Sequence, residues 1–189
     1  EGENAYAVMR AYVSEAEATT TSDRERLAVA VLGARATMFD PGDAALTYAD
    51  RALALAIKPG AMSKERLGET RTLRARVLLN RGDHKEAYAE LRKALAEQGG
   101  LSLKVTQGDI AVRSDLALAA LLNKDNDSAK QYLAYTGAGL MKVAFDRGIA
   151  MDPPPCGGDA DLRRDDVAVV QFGVLDDGTV AYASPIYSS

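Results

Sequence analysis

The chain contains 189 residues, of which 47% are hydrophobic and 26% are charged, as is ordinary for a globular protein. Its 23 basic and 27 acidic residues leave a net charge of −4, so there is no electrostatic reason to expect nucleic-acid binding. No apolar run approaches the ~18 residues that span a bilayer. The single cysteine, Cys156, excludes an internal disulfide framework and leaves its own role open.

Helical periodicity dominates the sequence up to residue 148. Ser22 with Glu25, and Thr106 with Asp109, fit capping boxes at helix starts, and the Gly-Gly pair at 99–100 fits a helix end. The pattern predicts helices over 3–19, 24–39, 43–57, 64–81, 83–98, 107–123 and 126–136, with a shorter one over 139–148.

Small residues recur at intervals of 42 positions, which predicts three copies of a helix pair. Small side chains let two helices cross closely, so these positions should lie at helix crossings. The first helices carry one set of small residues, which is Gly33, Ala75 and Ala117. The second helices carry two sets, which are Ala45, Ala87 and Ala129, and Ala52-Leu53 and Ala94-Leu95. Leu91 and Leu133, also on second helices, are likewise 42 positions apart.

The middle copy, "GDHKEAYAELRKAL" from Gly82 to Leu95, resembles the tetratricopeptide repeat. That family pairs antiparallel helices, with a Gly-Asp turn, an Ala in the second helix and an Ala-Leu pair further along. The resemblance covers residues 24–137, although the outer copies are degenerate and the period exceeds the usual ~34 residues. It implies a solenoid whose first helices line a concave ligand surface, and another array of helix pairs is the alternative.

By register, the resemblance implies a mostly apolar groove with Arg76 as its main fixed charge. The Lys and Asn residues with which some family members clamp a terminal carboxylate are absent, so an apolar partner segment is expected. Arg76→Ala and Leu118→Ala should then weaken binding without unfolding the protein, unless these residues only pack in a closed bundle. The expected face carries Leu27, Ala30, Ala34 and Thr37 in the first copy and Ala111 in the third, and its partner-binding residues are Glu69, Thr72, Arg76, Leu79, Ser114, Leu118 and Leu121.

No catalytic, metal-binding or cofactor-binding site is predicted. His84 is the only histidine and lies in a turn, and Cys156 has no histidine near it in sequence. The stretch "DNDSA" from Asp125 lacks the later Gly and Glu of a calcium loop, so it predicts a helix N-cap instead. We therefore expect a protein that is not an enzyme.

After a Pro/Gly-rich connector, the alternating stretch "VVQFGVLDDGTVAYASPIYSS" predicts a β-hairpin. A two-residue loop would pair Phe172 with Ala183, whereas a three-residue loop would pair Val174 with Val180 and Phe172 with Tyr182. The second register is preferred because it gathers apolar residues on one face. That face, the predicted association surface, comprises Val170, Phe172, Val174, Val180, Tyr182 and Ile186.

The same segment, from Asp165 to Ser189, resembles the opening hairpin of the TonB C-terminal domain in its alternating Val/Phe strand, Asp-Gly turn and final Ser-Ser. The resemblance implies a Gram-negative periplasm and contact through strands. That family continues with a helix and a further strand, so a reading frame extending beyond Ser189 into both would favour a TonB-type role. A start at Glu1 rather than Met fits a removed export leader and a trimmed chain equally.

These observations predict a mainly α fold, an antiparallel helix-hairpin solenoid with a small C-terminal β-hairpin. The expected domains are tetratricopeptide-like repeats over 1–150, a connector over 151–166 and the hairpin over 167–189. The expected function is a non-catalytic, periplasmic protein–protein interaction module that binds a protein or peptide segment and forms a homodimer through its hairpin. The alternative is a component of a TonB-type energy-transducing system, with the repeats as an accessory.

Overall fold

The computed structural model describes residues 2–58, 60, 62–137, 166–175 and 179–189. The chain divides into two compact units, Glu1–Ala138 and Gly139–Ser189. The first is helical and the second contains an antiparallel hairpin, which confirms the predicted mainly α fold with a small β-hairpin. The predicted helix over 139–148, the predicted boundary at residue 150 and Cys156 all lie outside the described residues.

Helices make up nearly all of the first unit, and their bounds lie within three residues of the predicted ones. Short turns connect most of them, as in other helical-hairpin proteins. In chain order the described helices are α1 (Gly2–Thr19), α2 (Asp23–Ala36), α3 (Ala44–Ala56), α4 (Lys64–Asn80), α5 (His84–Glu97), α6 (Gln107–Leu122) and α7 (Asn126–Ala134).

Both predicted capping boxes are present. At the start of α2, the backbone N–H of Glu25 donates to Ser22 Oγ over 3.2 Å, and the Ser22 N–H donates to Glu25 Oε2 over 3.1 Å. At the start of α6, Asp109 and Thr106 make the same reciprocal pair at 3.2 and 2.8 Å. Each box satisfies two backbone donors that the helix leaves open, which is why both helices begin where the sequence indicates.

The helices pack in chain order, each against the next. The close pairs α2–α3, α4–α5 and α6–α7 are helical hairpins, and the first helices α2, α4 and α6 also contact one another in sequence. Each first helix is therefore bordered by its hairpin partner and by the first helices of neighbouring hairpins.

The recurring small residues lie at these contacts. The tightest of these contacts is at Gly33, because a Cβ added to it would lie 2.8 Å from Cγ of Tyr48 on α3. Leu133 departs from the repeat: it is 47% exposed whereas Leu91 is fully buried, since within the described residues no further helix packs on α7. The recurring alanines are each at most 2% exposed: Ala75, Ala117, Ala45, Ala87, Ala129, Ala52 and Ala94.

The turn after α4 recurs after α6 with a different residue at its left-handed position. Gly82 has φ +83°, and the Asp83 N–H donates to the Leu78 carbonyl over 2.9 Å. Forty-two positions later Lys124 takes φ 62°, and the Asp125 N–H donates to the Ala120 carbonyl over 2.9 Å. The geometry is a glycine-type helix ending, so the repeat keeps its turn even where the glycine is lost.

The hairpin consists of β1 (Ala168–Val174) and β2 (Val180–Ser188), and its register combines the two alternatives. Val174 pairs with Val180, as the preferred register predicts. The predicted pairing of Phe172 with Tyr182 is wrong, because a register shift between Gly173 and Val174 places Phe172 opposite Ala183. The loop over 176–178 lies outside the described residues.

The lack of a side chain at Gly173 explains the position of the Tyr182 ring. Tyr182 pairs with Gly173, and a Cβ on that glycine would lie 2.5 Å from Tyr182 Cε1, so the ring occupies the space that a side chain would need. The tyrosine consequently lies on the opposite face from Phe172, which corrects the predicted association surface. Its other strand residues are exposed by 49–61%, namely Val170, Phe172, Val174 and Val180, whereas Ile186 is buried.

Candidate functional site

A groove runs between α2 and α4, with a volume of about 450 Å³. One wall comes from α2, and the other comes from α4 and the residue Met62 that precedes it. The groove, called the α2–α4 groove below, is lined by Arg24, Leu27, Ala28, Val31, Arg35, Met62, Arg66, Glu69, Thr70 and Leu73.

The two walls use the same positions of successive repeats. Arg24 and Arg66 are separated by 42 residues, as are Val31 and Leu73. On α2 the lining positions recur every three or four residues, which places them on one stripe of the helix. The groove therefore follows from stacking two copies of the repeat side by side.

The interior of the groove is apolar. Leu73 and Thr70 are each 6% exposed, and the Thr70 hydroxyl donates to the Arg66 carbonyl over 2.9 Å. Because this hydroxyl is satisfied within its own helix, Thr70 needs no polar partner in the groove. Leu27 and Val31 are half-buried and complete an apolar surface that remains accessible.

Three exposed arginines surround this apolar surface: Arg24, Arg35 and Arg66. Among the described residues, none of the three guanidinium groups has a salt bridge or a side-chain hydrogen bond. Arginines elsewhere in the described chain mostly do form ion pairs, which involve Arg10, Arg26, Arg51, Arg71, Arg74, Arg76, Arg81 and Arg113. Glu69 is the one acidic residue among those that line the groove.

The groove is offset from the face that register alone predicted. Leu27 and Glu69 are the two residues of the predicted face that line it. Thr72 is buried and donates its hydroxyl to the Gly68 carbonyl over 2.8 Å, and Leu79 is fully buried. On α6, Ser114 and Leu118 are half-buried and Leu121 is 50% exposed.

Arg76, expected as a groove charge, is held by a buried carboxylate. Its Nε donates to Asp115 Oδ2 over 2.6 Å and its Nη2 donates to Asp115 Oδ1 over 3.3 Å. The side chain of Asp115 is 1% exposed. Burial raises the pKa of Asp115, and the charge and hydrogen bonds of Arg76 oppose that rise. The pair links α4 to α6.

This pair also distinguishes the α4–α6 contact from the α2–α4 groove. Asp115 occupies the repeat position of Leu73 in the groove, 42 residues further along. A carboxylate with its arginine therefore stands in the second interface where an apolar side chain stands in the first. Sequence reasoning missed this because the two partners are 39 residues apart.

Other site chemistries find no support among the described residues. They contain no group of three or more His, Cys, Asp or Glu side chains arranged to hold a metal ion. None of their helices combines the length and the apolar character needed to cross a membrane. Asp125 caps α7 by accepting the Ser128 N–H over 3.1 Å, as predicted in place of a calcium loop.

The chain was compared with protein-family models, with curated proteins and with solved structures. None of the three comparisons finds a match. The resemblances to the tetratricopeptide repeat and to the TonB hairpin therefore rest on the sequence motifs alone.

Proposed function

We propose that this protein is a non-catalytic protein-interaction module that binds a segment of a partner protein in the α2–α4 groove. The observation that carries the proposal is an accessible apolar surface inside a groove of about 450 Å³ between the first helices α2 and α4. Exposed apolar clefts rimmed by polar groups are typical of binding surfaces.

Site-specific photo-crosslinking in the source cells tests this proposal. Ala28 is exposed and lines the groove, so it is replaced by p-benzoylphenylalanine, with the exposed Ala89 on α5 as the matched control position. We expect ultraviolet light to join one defined partner to the position-28 variant and not to the position-89 variant. Equal crosslinking from both positions, or none from position 28, would contradict the proposal.

A second proposal concerns the hairpin: two copies of the chain associate through it. Val170, Phe172, Val174 and Val180 expose an apolar face, and within the described residues the sheet has two strands, whose outer edges can pair with another strand. Pro185 lacks an N–H, which makes β1 the better edge for pairing. A symmetric dimer would bury the same face of both copies.

Sedimentation of the full chain over a range of concentrations tests the dimer. Phe172 is 61% exposed, and we expect Phe172→Asp to abolish dimerisation because burying a carboxylate in an apolar interface is energetically unfavourable. Leu103→Asp is the matched control, since Leu103 is 89% exposed and lies in the helical unit. A wild-type chain that stays monomeric, or two variants that behave alike, would contradict the proposal.

The same hairpin supports the alternative role in a TonB-type system and a periplasmic location, both of which rest on the sequence resemblance. The open edge of β1 could accept the further strand that this family carries. Fractionation of the source cells tests the location, and a protein confined to the cytoplasm would exclude both ideas.

A further inference from the structure

We infer that the α2–α4 groove selects an apolar peptide segment flanked by acidic residues. The inference rests on the proposed interaction function and adds the chemical class of the partner. It draws on the arginines around the groove, on their positions along it and on the apolar interior between them.

The arginines lie at both ends of the groove. Arg24 and Arg66 occupy the same position in successive first helices, so they lie at one end, near the starts of α2 and α4. Arg35 lies in the last turn of α2. Eleven residues of helix separate Arg24 from Arg35, which corresponds to about 16 Å along the axis. A matching segment thus carries acidic groups at both ends, with apolar side chains between them.

Charge complementarity favours an acidic partner over a basic one. The three guanidinium groups have no ion pair within the described chain, although the protein as a whole carries a net charge of −4. Glu69 offsets only part of this local positive charge. Carboxylates placed beside these groups would gain charge-assisted hydrogen bonds, whereas a basic segment would meet like charge.

The partner segment must also carry apolar side chains, because Leu27, Val31 and Leu73 form the interior of the groove. They offer no hydrogen-bonding groups, and the one hydroxyl nearby, that of Thr70, is already satisfied by the Arg66 carbonyl. A polar residue placed against this surface would lose its hydrogen bonds to water without replacement. The groove therefore discriminates against a segment that is acidic but lacks apolar residues.

Fluorescence anisotropy with three labelled synthetic peptides tests the inference. The probe has the sequence EELLALLEE, and its controls are the charge-reversed KKLLALLKK and the polar EESSASSEE. We expect the first to bind the wild-type chain and both controls to bind at least about tenfold more weakly. Added salt should weaken the first complex, because screening reduces the attraction between exposed charges.

Arginine variants of the full chain identify the surface. We expect Arg35→Glu and Arg66→Glu each to weaken EELLALLEE binding by about tenfold or more, because each replaces an attraction with a repulsion. Arg92→Glu is the matched control: Arg92 is an exposed arginine on α5, outside the groove, and has no ion pair among the described residues. Circular dichroism establishes that the variants remain folded.

The outcomes separate this inference from the proposed function. Equal binding of the acidic and basic peptides, or equal effects of Arg35→Glu and Arg92→Glu, would overturn the acidic class. Position-28 crosslinking that persists in Arg35→Glu and Arg66→Glu would do the same while leaving the interaction function intact. Binding to vesicles of anionic lipid without binding to EELLALLEE would also overturn the inference, in favour of a membrane surface.

Discussion

Arg76→Met should lower the free energy of unfolding by about 3–5 kcal/mol, because it leaves the Asp115 carboxylate buried without its partner. Both oxygens of Asp115 now accept hydrogen bonds from Arg76, and only 1% of its side chain is exposed. The loss is measured by urea denaturation at neutral pH. The prediction from register, that an Arg76 substitution weakens binding without unfolding the protein, does not include this buried carboxylate, so we expect a loss of stability as well.

Two comparisons isolate the buried charge as the cause. Arg81→Met breaks a surface pair, since Asp43 is 85% exposed, and should cost only about 0–1 kcal/mol. The double variant Arg76→Leu with Asp115→Leu removes both charges and should recover most of the loss. Leucine also occupies the equivalent repeat positions, Leu118 and Leu73. A double variant as unstable as Arg76→Met would contradict this account.

The loss in the free energy of unfolding caused by Arg76→Met should depend on pH. Because burial raises the pKa of Asp115, the folded chain binds this proton more tightly than the unfolded chain. The carboxyl therefore costs stability as pH rises from its unfolded pKa of about 4 through its folded pKa. Loss of Arg76 raises the folded pKa further, so the deficit relative to wild type should shrink as the pH is lowered from the folded pKa of the variant towards that of the wild-type chain. A deficit that stays constant would contradict the assignment to Asp115.

Ala87→Leu should destabilise the fold by about 1–3 kcal/mol through overpacking. Ala87 is fully buried on α5, in the closely packed α4–α5 hairpin, and a leucine there would force the helices apart. Its repeat equivalents Ala45 and Ala129 are equally enclosed, at 2% and 1% exposure. The melting temperature measured by circular dichroism reports the loss.

Ala89→Leu provides the control on the same helix. Ala89 is exposed, so the added side chain meets solvent, and we expect a change within about 0.5 kcal/mol. Equal melting temperatures for the two variants would show that the 42-residue alignment does not identify the helix crossings.

Local interactions explain why the helices could be predicted from the sequence. A capping box joins residues three positions apart, as Ser22 joins Glu25, and the glycine-type ending at Gly82 closes within one turn of α4. The recurring small residues also identify the helix crossings in advance, since larger side chains would keep two helices from packing closely. The sequence by itself therefore determined the mainly α fold, the bounds of the seven described helices to within three residues, the recurring buried alanines and the presence of a hairpin.

Only the tertiary structure decided which face of the first helices stays accessible. Neighbouring positions on a helix point about 100° apart, so an offset of one residue turns a groove wall into a packing face. Register alone selected Leu27, which lines the groove, but also Ala30 and Ala34, which are buried, and it did not select Val31, which lines the groove. The accessible stripe depends on how α2 and α4 lie against each other.

Only the tertiary structure likewise decided which charges are neutralised and how the two strands pair. Whether an arginine is neutralised depends on residues distant in sequence: Arg76 meets Asp115, 39 positions away, while Arg35 meets no acid among the described residues. In the hairpin, the fit of Tyr182 over Gly173 accompanies a register shift that turn chemistry does not specify. Local sequence determined the elements, and packing between them decided which side chains remain available to a partner.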